Sequence, residues 1–158
     1  MALQQPQPIY LVLMTTPPTL QRIVDLFAAA PREVKLQALL DYSRRVPPLP
    51  PELAGRRDLF EKVDECQSPF FLKADVGEDG VVVMYFDAPA EAPTTRGYAG
   101  ILAEGLAGAS AADILAIPAD FYMGLGLADV ITPLRLRGMG AIVTRLKRQV
   151  QQQVDAQN

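Results

Sequence analysis

Asp64-Glu65-Cys66-Gln67-Ser68-Pro69-Phe70-Phe71-Leu72-Lys73-Ala74-Asp75-Val76-Gly77-Glu78-Asp79-Gly80-Val81-Val82-Val83-Met84-Tyr85-Phe86 is the stretch whose reading decides the fold. Ser68 to Ala74 reads as a strand, with Phe70 and Leu72 on the face opposite Phe71. Gly77-Glu78-Asp79-Gly80 reads as a turn. Val81 to Phe86, β-branched and aromatic, reads as the next strand. A third, shorter candidate, Leu59 to Val63, lies just upstream. Cys66 therefore falls in the connection between the first two strands. A cysteine on a short loop at a sheet edge can be presented to another molecule, whereas one inside a strand cannot.

Outward from this sheet the spacing turns helical. Leu20, Ile23, Val24 and Phe27 recur on one face, with Thr19 as the expected N-cap. A second helix is predicted from Pro31 to about Val46, with Val34, Ala38 and Tyr42 inward. Pro47, Pro48, Pro50 and Pro51 then impose an extended connection. After the strands, Thr94 or Thr95 caps a glycine-bearing helix through Leu106. Ser110 caps Ala111 to Ile117, and Pro118 restarts a short helix through Phe121 and Leu125. A final helix from about Arg135 points Met139, Ile142, Val143 and Leu146 inward and Arg145, Lys147 and Arg148 outward. The expected organisation is a flexible extension over 1–18, one domain over 19–150 and a frayed glutamine-rich tail over 151–158.

The chain has 158 residues, one cysteine and no histidine. No Ser-His-Asp triad, Cys-His pair or histidine-ligated metal can be assembled from it, and no internal disulfide or CxxC pair. What remains is a thiol that acts by exchange with another molecule's sulfur, which needs a thiolate, an approach path and a leaving sulfur. The plain alternative is a small buried hydrophobe. A 49% hydrophobic share fits a globular protein, and a net charge of −3 argues against nucleic acid as partner. No apolar run is long enough for a membrane span and no signal peptide is recognisable, so a cytoplasmic protein is expected.

Cys66-Gln67-Ser68, after a polar turn and before an apolar strand, resembles the active-cysteine segment of SufE-type sulfur-acceptor proteins. The resemblance continues in order through Leu40 to Leu53, Arg96-Gly97, and Thr132-Pro133-Leu134-Arg135-Leu136-Arg137-Gly138-Met139, and it covers Leu20 to Val150. It implies an α+β fold, a small antiparallel sheet packed against helices and related to IscU-type scaffolds. It also implies a role in iron–sulfur cluster biogenesis. Cys66 would accept persulfide sulfur from a cysteine desulfurase, stimulate that enzyme, and deliver the sulfur to a cluster scaffold. Pyridoxal phosphate would belong to the desulfurase, with no cofactor or metal on this chain, and the carrier would be a monomer or weak homodimer rather than a stand-alone enzyme. Glu65 stands where a glycine is common in the family.

Arg135 is the second site candidate. A cation is unfavourable at a helix N-terminus, so a buried pairing or an anionic persulfide should compensate it, and the family has an arginine at the matching position. Asp64, Glu65, Arg56, Arg57 and Arg96 are candidate partner contacts; a solvated face is the simpler reading of Arg56 and Arg57. Cys66 is expected to rest against Phe70 or Phe121. Two other functions compete: a cluster scaffold, which usually needs several thiolates, and a structural adaptor whose cysteine is incidental.

Overall fold

The structure is a computed structural model that describes residues 15–158; most of the expected extension lies outside the described residues. Five α-helices and a three-stranded sheet are formed among them: α1 (Pro18–Ala29), α2 (Arg32–Ser43), β1 (Glu61–Lys62), β2 (Phe71–Val76), β3 (Val82–Asp87), α3 (Pro93–Gly105), α4 (Ala111–Leu115) and α5 (Pro133–Gln157). Short 3-10 turns occupy Arg57–Leu59, Phe121–Leu125 and Leu127–Asp129. The α+β architecture expected from the sequence is the one observed.

The sheet is antiparallel in the order β1-β2-β3. Phe71 sits opposite Asp87 and Val76 opposite Val82, so β2 and β3 form a hairpin. Its turn is closed by the Gly77 N–H on Val81 O at 2.9 Å and the Gly80 N–H on Gly77 O at 2.9 Å. Gly80 has φ +81°, a conformation that glycine adopts without strain. Phe70, Leu72 and Ala74 turn into the core and Phe71 does not, as the alternation predicts.

β1 is shorter than the expected Leu59–Val63 strand. Leu59 belongs to the 3-10 turn, and only Glu61 and Lys62 pair, with Leu72 and Phe71. Beyond Leu72 the edge of β2 therefore has no strand neighbour among the described residues, and α5 closes it with side chains. Gln149 Oε1 accepts from the Ala74 N–H at 2.8 Å, and Gln149 Nε2 donates to Leu72 O at 3.2 Å. Gln153 Oε1 accepts from the Val76 N–H at 2.8 Å, and its Nε2 donates to Ala74 O at 2.6 Å. These bonds explain why the helix runs through the glutamine-rich segment to Gln157, where the sequence alone suggests fraying past 150.

The helical layer is tight where glycines allow it. A Cβ on Gly97 would lie 2.5 Å from Leu39 O, and one on Gly100 would overlap Tyr42 O, so the α2 and α3 backbones nearly touch. This close crossing turns Leu39 and Ser43 inward and leaves Val34 exposed, unlike the face predicted from spacing. α1 starts after Pro17, with no side-chain cap, and Thr19 lies in its first turn. Ser110 caps α4 as expected, in a reciprocal box with Asp113. From α5, Met139, Ile142, Val143, Leu146 and Val150 enter the core.

Candidate functional site

The loop that carries Cys66 is the connection between β1 and β2. It is tied at its base by the Val63 N–H on Phe70 O at 2.8 Å, and tightened by the Cys66 N–H on Val63 O at 3.2 Å. Cys66 is half-buried at its tip and packs on the edge of the core. The contact that seats it is α5. A Cβ on Gly138 would lie 3.2 Å from Cys66 Sγ, and Sγ is 4.0 Å from Gly138 O. Only a residue without a side chain lets the loop lie this close to the helix. The sequence points to Phe70 or Phe121 as the shelter, and Gly138 carries no signal of this role beyond its place in the Thr-Pro-x-Arg-x-x-Gly segment.

Burial pushes the Cys66 thiol up to about 11, the Glu65 carboxylate adds to the rise, and Arg145 opposes it. At neutral pH the resting thiol is protonated.

Beside it lies a cluster of charges that sequence reasoning did not assemble. Arg145 engages Glu65 with two nitrogens, Nε to Oε2 at 3.2 Å and Nη2 to Oε1 at 2.6 Å, and reaches Glu61 Oε2 with Nη1 at 2.6 Å. Arg148 pairs with the same Glu61 oxygen, and Gln149 Nε2 donates to Glu61 Oε1 at 3.0 Å. The Arg145 side chain is only 18% exposed, against the outward position predicted for it. Hydrogen bonds from Arg145 hold Glu65 below the usual carboxylate range. Partial burial opposes ionisation of Glu61, but Arg148, Gln149 and Arg145 outweigh it and lower Glu61 as well. Glu65, Arg137, Ala141, Thr144, Arg145 and Arg148 line a shallow depression of about 340 Å³.

The remaining candidates are distributed differently. Asp64 is exposed on the loop. Arg135 sits in the first turn of α5, where Thr132 Oγ1 accepts from its N–H at 3.3 Å. Its guanidinium bonds Thr94 Oγ1 at the start of α3, and it forms no ion pair among the described residues. It joins two helix starts. Arg96 is spent inside the fold, donating to Ser43 O at 2.9 Å and to Ala88 O. Arg57 pairs with Asp87 at 3.1 Å and lies 4.6 Å over the Phe71 ring, while Arg56 chelates the exposed Asp58. On the loop itself, Ser68 Oγ is buried without a hydrogen-bond partner among the described residues. Among the described residues no three His, Cys, Asp or Glu side chains converge to hold a metal ion. No helix among them is long and apolar enough to cross a membrane.

The one thiol of this α+β domain thus lies on the loop between β1 and β2, seated against a glycine of the last helix. The family described as "SufE: Fe-S metabolism associated domain" matches residues 21–150, and the chain belongs to the SufE family. An uncharacterized SufE-like protein of Mycobacterium tuberculosis is 50% identical over 136 residues, which is 86% of this chain and 94% of that one. A protein of Plasmodium vivax named cysteine desulfuration protein SufE is 27% identical over 82% of this chain and 52% of its own length. The solution structure of a hypothetical protein from Thermus thermophilus superposes with a TM-score of 0.78 at 45% identity, over 89% of this chain and 99% of that one.

Proposed function

We propose that this protein is a sulfur carrier of iron–sulfur metabolism: Cys66 accepts persulfide sulfur from a cysteine desulfurase and passes it to a cluster scaffold. The observation that carries the reading is the position of the chain's one thiol, at the tip of a short loop between two strands and against the last helix. Family membership supports sulfur transfer, and the name of the Plasmodium relative supports a desulfurase as donor. A thiol carrier of this kind works in a reducing, cytoplasm-like compartment.

The chemistry is a thiol–persulfide exchange. The Cys66 thiolate attacks the terminal sulfur of the donor's persulfide. A bond forms between Cys66 Sγ and that sulfur, the donor's S–S bond breaks, and the donor's thiolate leaves. No net oxidant is consumed. The proton of the resting thiol passes to a base of the donor's site or to solvent. Because burial and Glu65 hold the resting thiol near 11, ionisation accompanies movement of the loop out of its seat. Asp64, exposed beside the thiol, is the loop residue best placed to meet the donor.

The test is mass spectrometry of the protein after incubation with a cysteine desulfurase and cysteine. A gain of one sulfur on the peptide containing Cys66 is expected, with no gain and no stimulation of the desulfurase by Cys66→Ser. Undiminished stimulation by Cys66→Ser would sink the carrier mechanism. The raised thiol favours a second reading, an inert structural cysteine, and absence of any sulfur adduct would select it.

A further inference from the structure

We propose that Glu65, Glu61, Arg145 and Arg148 form a latch that keeps Cys66 in its seat, and that an acidic segment of a partner opens it by taking the place of Glu65 on Arg145. The inference rests on the carrier reading and adds how the loop is held and what releases it. Three observations carry it. The first is geometry: Arg145 clamps the residue immediately before the thiol with two hydrogen bonds, so Cys66 cannot leave Gly138 while the clamp holds. The second is anchorage. Arg145 is itself held by Glu61 at the start of β1, so the clamp joins the loop, the sheet and α5. The third is charge. When Glu65 departs with the loop, Arg137, Arg145 and Arg148 remain along the depression on α5 with Glu61 as the counter-charge there. That balance receives a carboxylate and rejects a lysine. Within the resting chain Glu65 fills the place that the partner's carboxylate takes. The closed loop is not deeply trapped, since it leaves Ser68 Oγ buried without a partner among the described residues and Glu65 is itself exposed. A clamp of this exposure is strong enough to hold and weak enough to be displaced.

The experiment measures alkylation of Cys66 by iodoacetamide, a neutral reagent, in the full chain with no desulfurase present. The two roles open to Arg145 predict opposite signs. As a nearby positive charge alone, Arg145 favours the thiolate, and Arg145→Met would slow the reaction. As a latch, Arg145→Met frees the loop and speeds the reaction about fivefold, the factor of one exposed pair. Arg145→Lys keeps the charge and loses the two-pronged grip, and should also react faster than wild type; it serves if Arg145→Met melts early. A hexaglutamate peptide should accelerate the wild type and leave Arg145→Met unchanged, whereas hexalysine at matched ionic strength should do less. A slower Arg145→Met, or a hexalysine effect equal to that of hexaglutamate, overturns the latch or its acidic key respectively. Neither result touches sulfur acceptance, which the mass gain on Cys66 measures separately.

Discussion

Gly138→Ala tests whether the last helix sets the reactivity of the thiol. The added Cβ would lie 3.2 Å from Cys66 Sγ, 3.5 Å from Cys66 Cα and 3.6 Å from Glu65 O. The last two are ordinary contacts, and only the sulfur is too close, by a few tenths of an ångström. The helix is rigid and the thiol sits on a loop, so the loop moves. Alanine inside a helix is worth about 1 kcal/mol over glycine. Loss of part of the thiol's packing costs a similar amount, so the net change in stability should stay within about 1 kcal/mol. The thiol responds more. With the thiol at about 11, roughly one molecule in a thousand is ionised at pH 8; full relief to the ordinary 9.0 would make it about one in ten. The ceiling is therefore about a hundredfold, and one methyl group should realise about three- to tenfold in the rate of iodoacetamide alkylation at pH 8. A rate profile across pH should show the apparent pKa falling. An unchanged rate and pKa with an unchanged melting temperature would refute the reasoning, since the loop would have absorbed the methyl group while keeping the sulfur covered.

Two further outcomes follow from the same geometry. The folded thiol titrates near 11 and the unfolded one near 9.0, so Cys66 contributes stability that is fully present below pH 9 and is lost as pH rises toward 11. The melting temperature of the wild type should fall relative to Cys66→Ser over that window, and a constant difference between the two would contradict it. Replacing Gln149 and Gln153 together by alanine leaves the Ala74 and Val76 N–H groups and the Leu72 and Ala74 carbonyls without these partners. The double variant should lose about 2–4 kcal/mol in urea unfolding, with faster amide exchange at Ala74 and Val76; protection at wild-type level would show that water serves the edge as well.

The hairpin, the loop position of Cys66 and the inward face of α5 were legible because period-2 and period-3.6 patterns and turn residues act locally. Two classes of feature were not. Contacts between distant segments leave no periodic trace: Arg145 looks like any outward basic residue until Glu61 and Glu65 are placed 84 and 80 positions away beside it. Glycine roles are equally silent, because Gly97, Gly100 and Gly138 matter for what another backbone or sulfur does nearby. The same reason turned Val34 outward, since the glycine notches of α3, not the apolar spacing of α2, chose which face is buried. Arg135, for which the sequence asks a compensating partner, bonds a hydroxyl on α3, a pairing across 41 positions that no local pattern announces.

The glutamines that close β2 have a consequence for the order in which the chain is made. Ala74 is joined to Gln149 across 75 positions and Val76 to Gln153 across 77. At about 5–20 residues per second on the ribosome, β2 precedes its cover by roughly 4–15 seconds. During that interval β2 offers bare N–H and C=O groups to any neighbouring strand, including the same strand of another nascent copy. Chains that terminate before 149 keep that edge for good, and should accumulate as aggregates rather than as shorter soluble carriers.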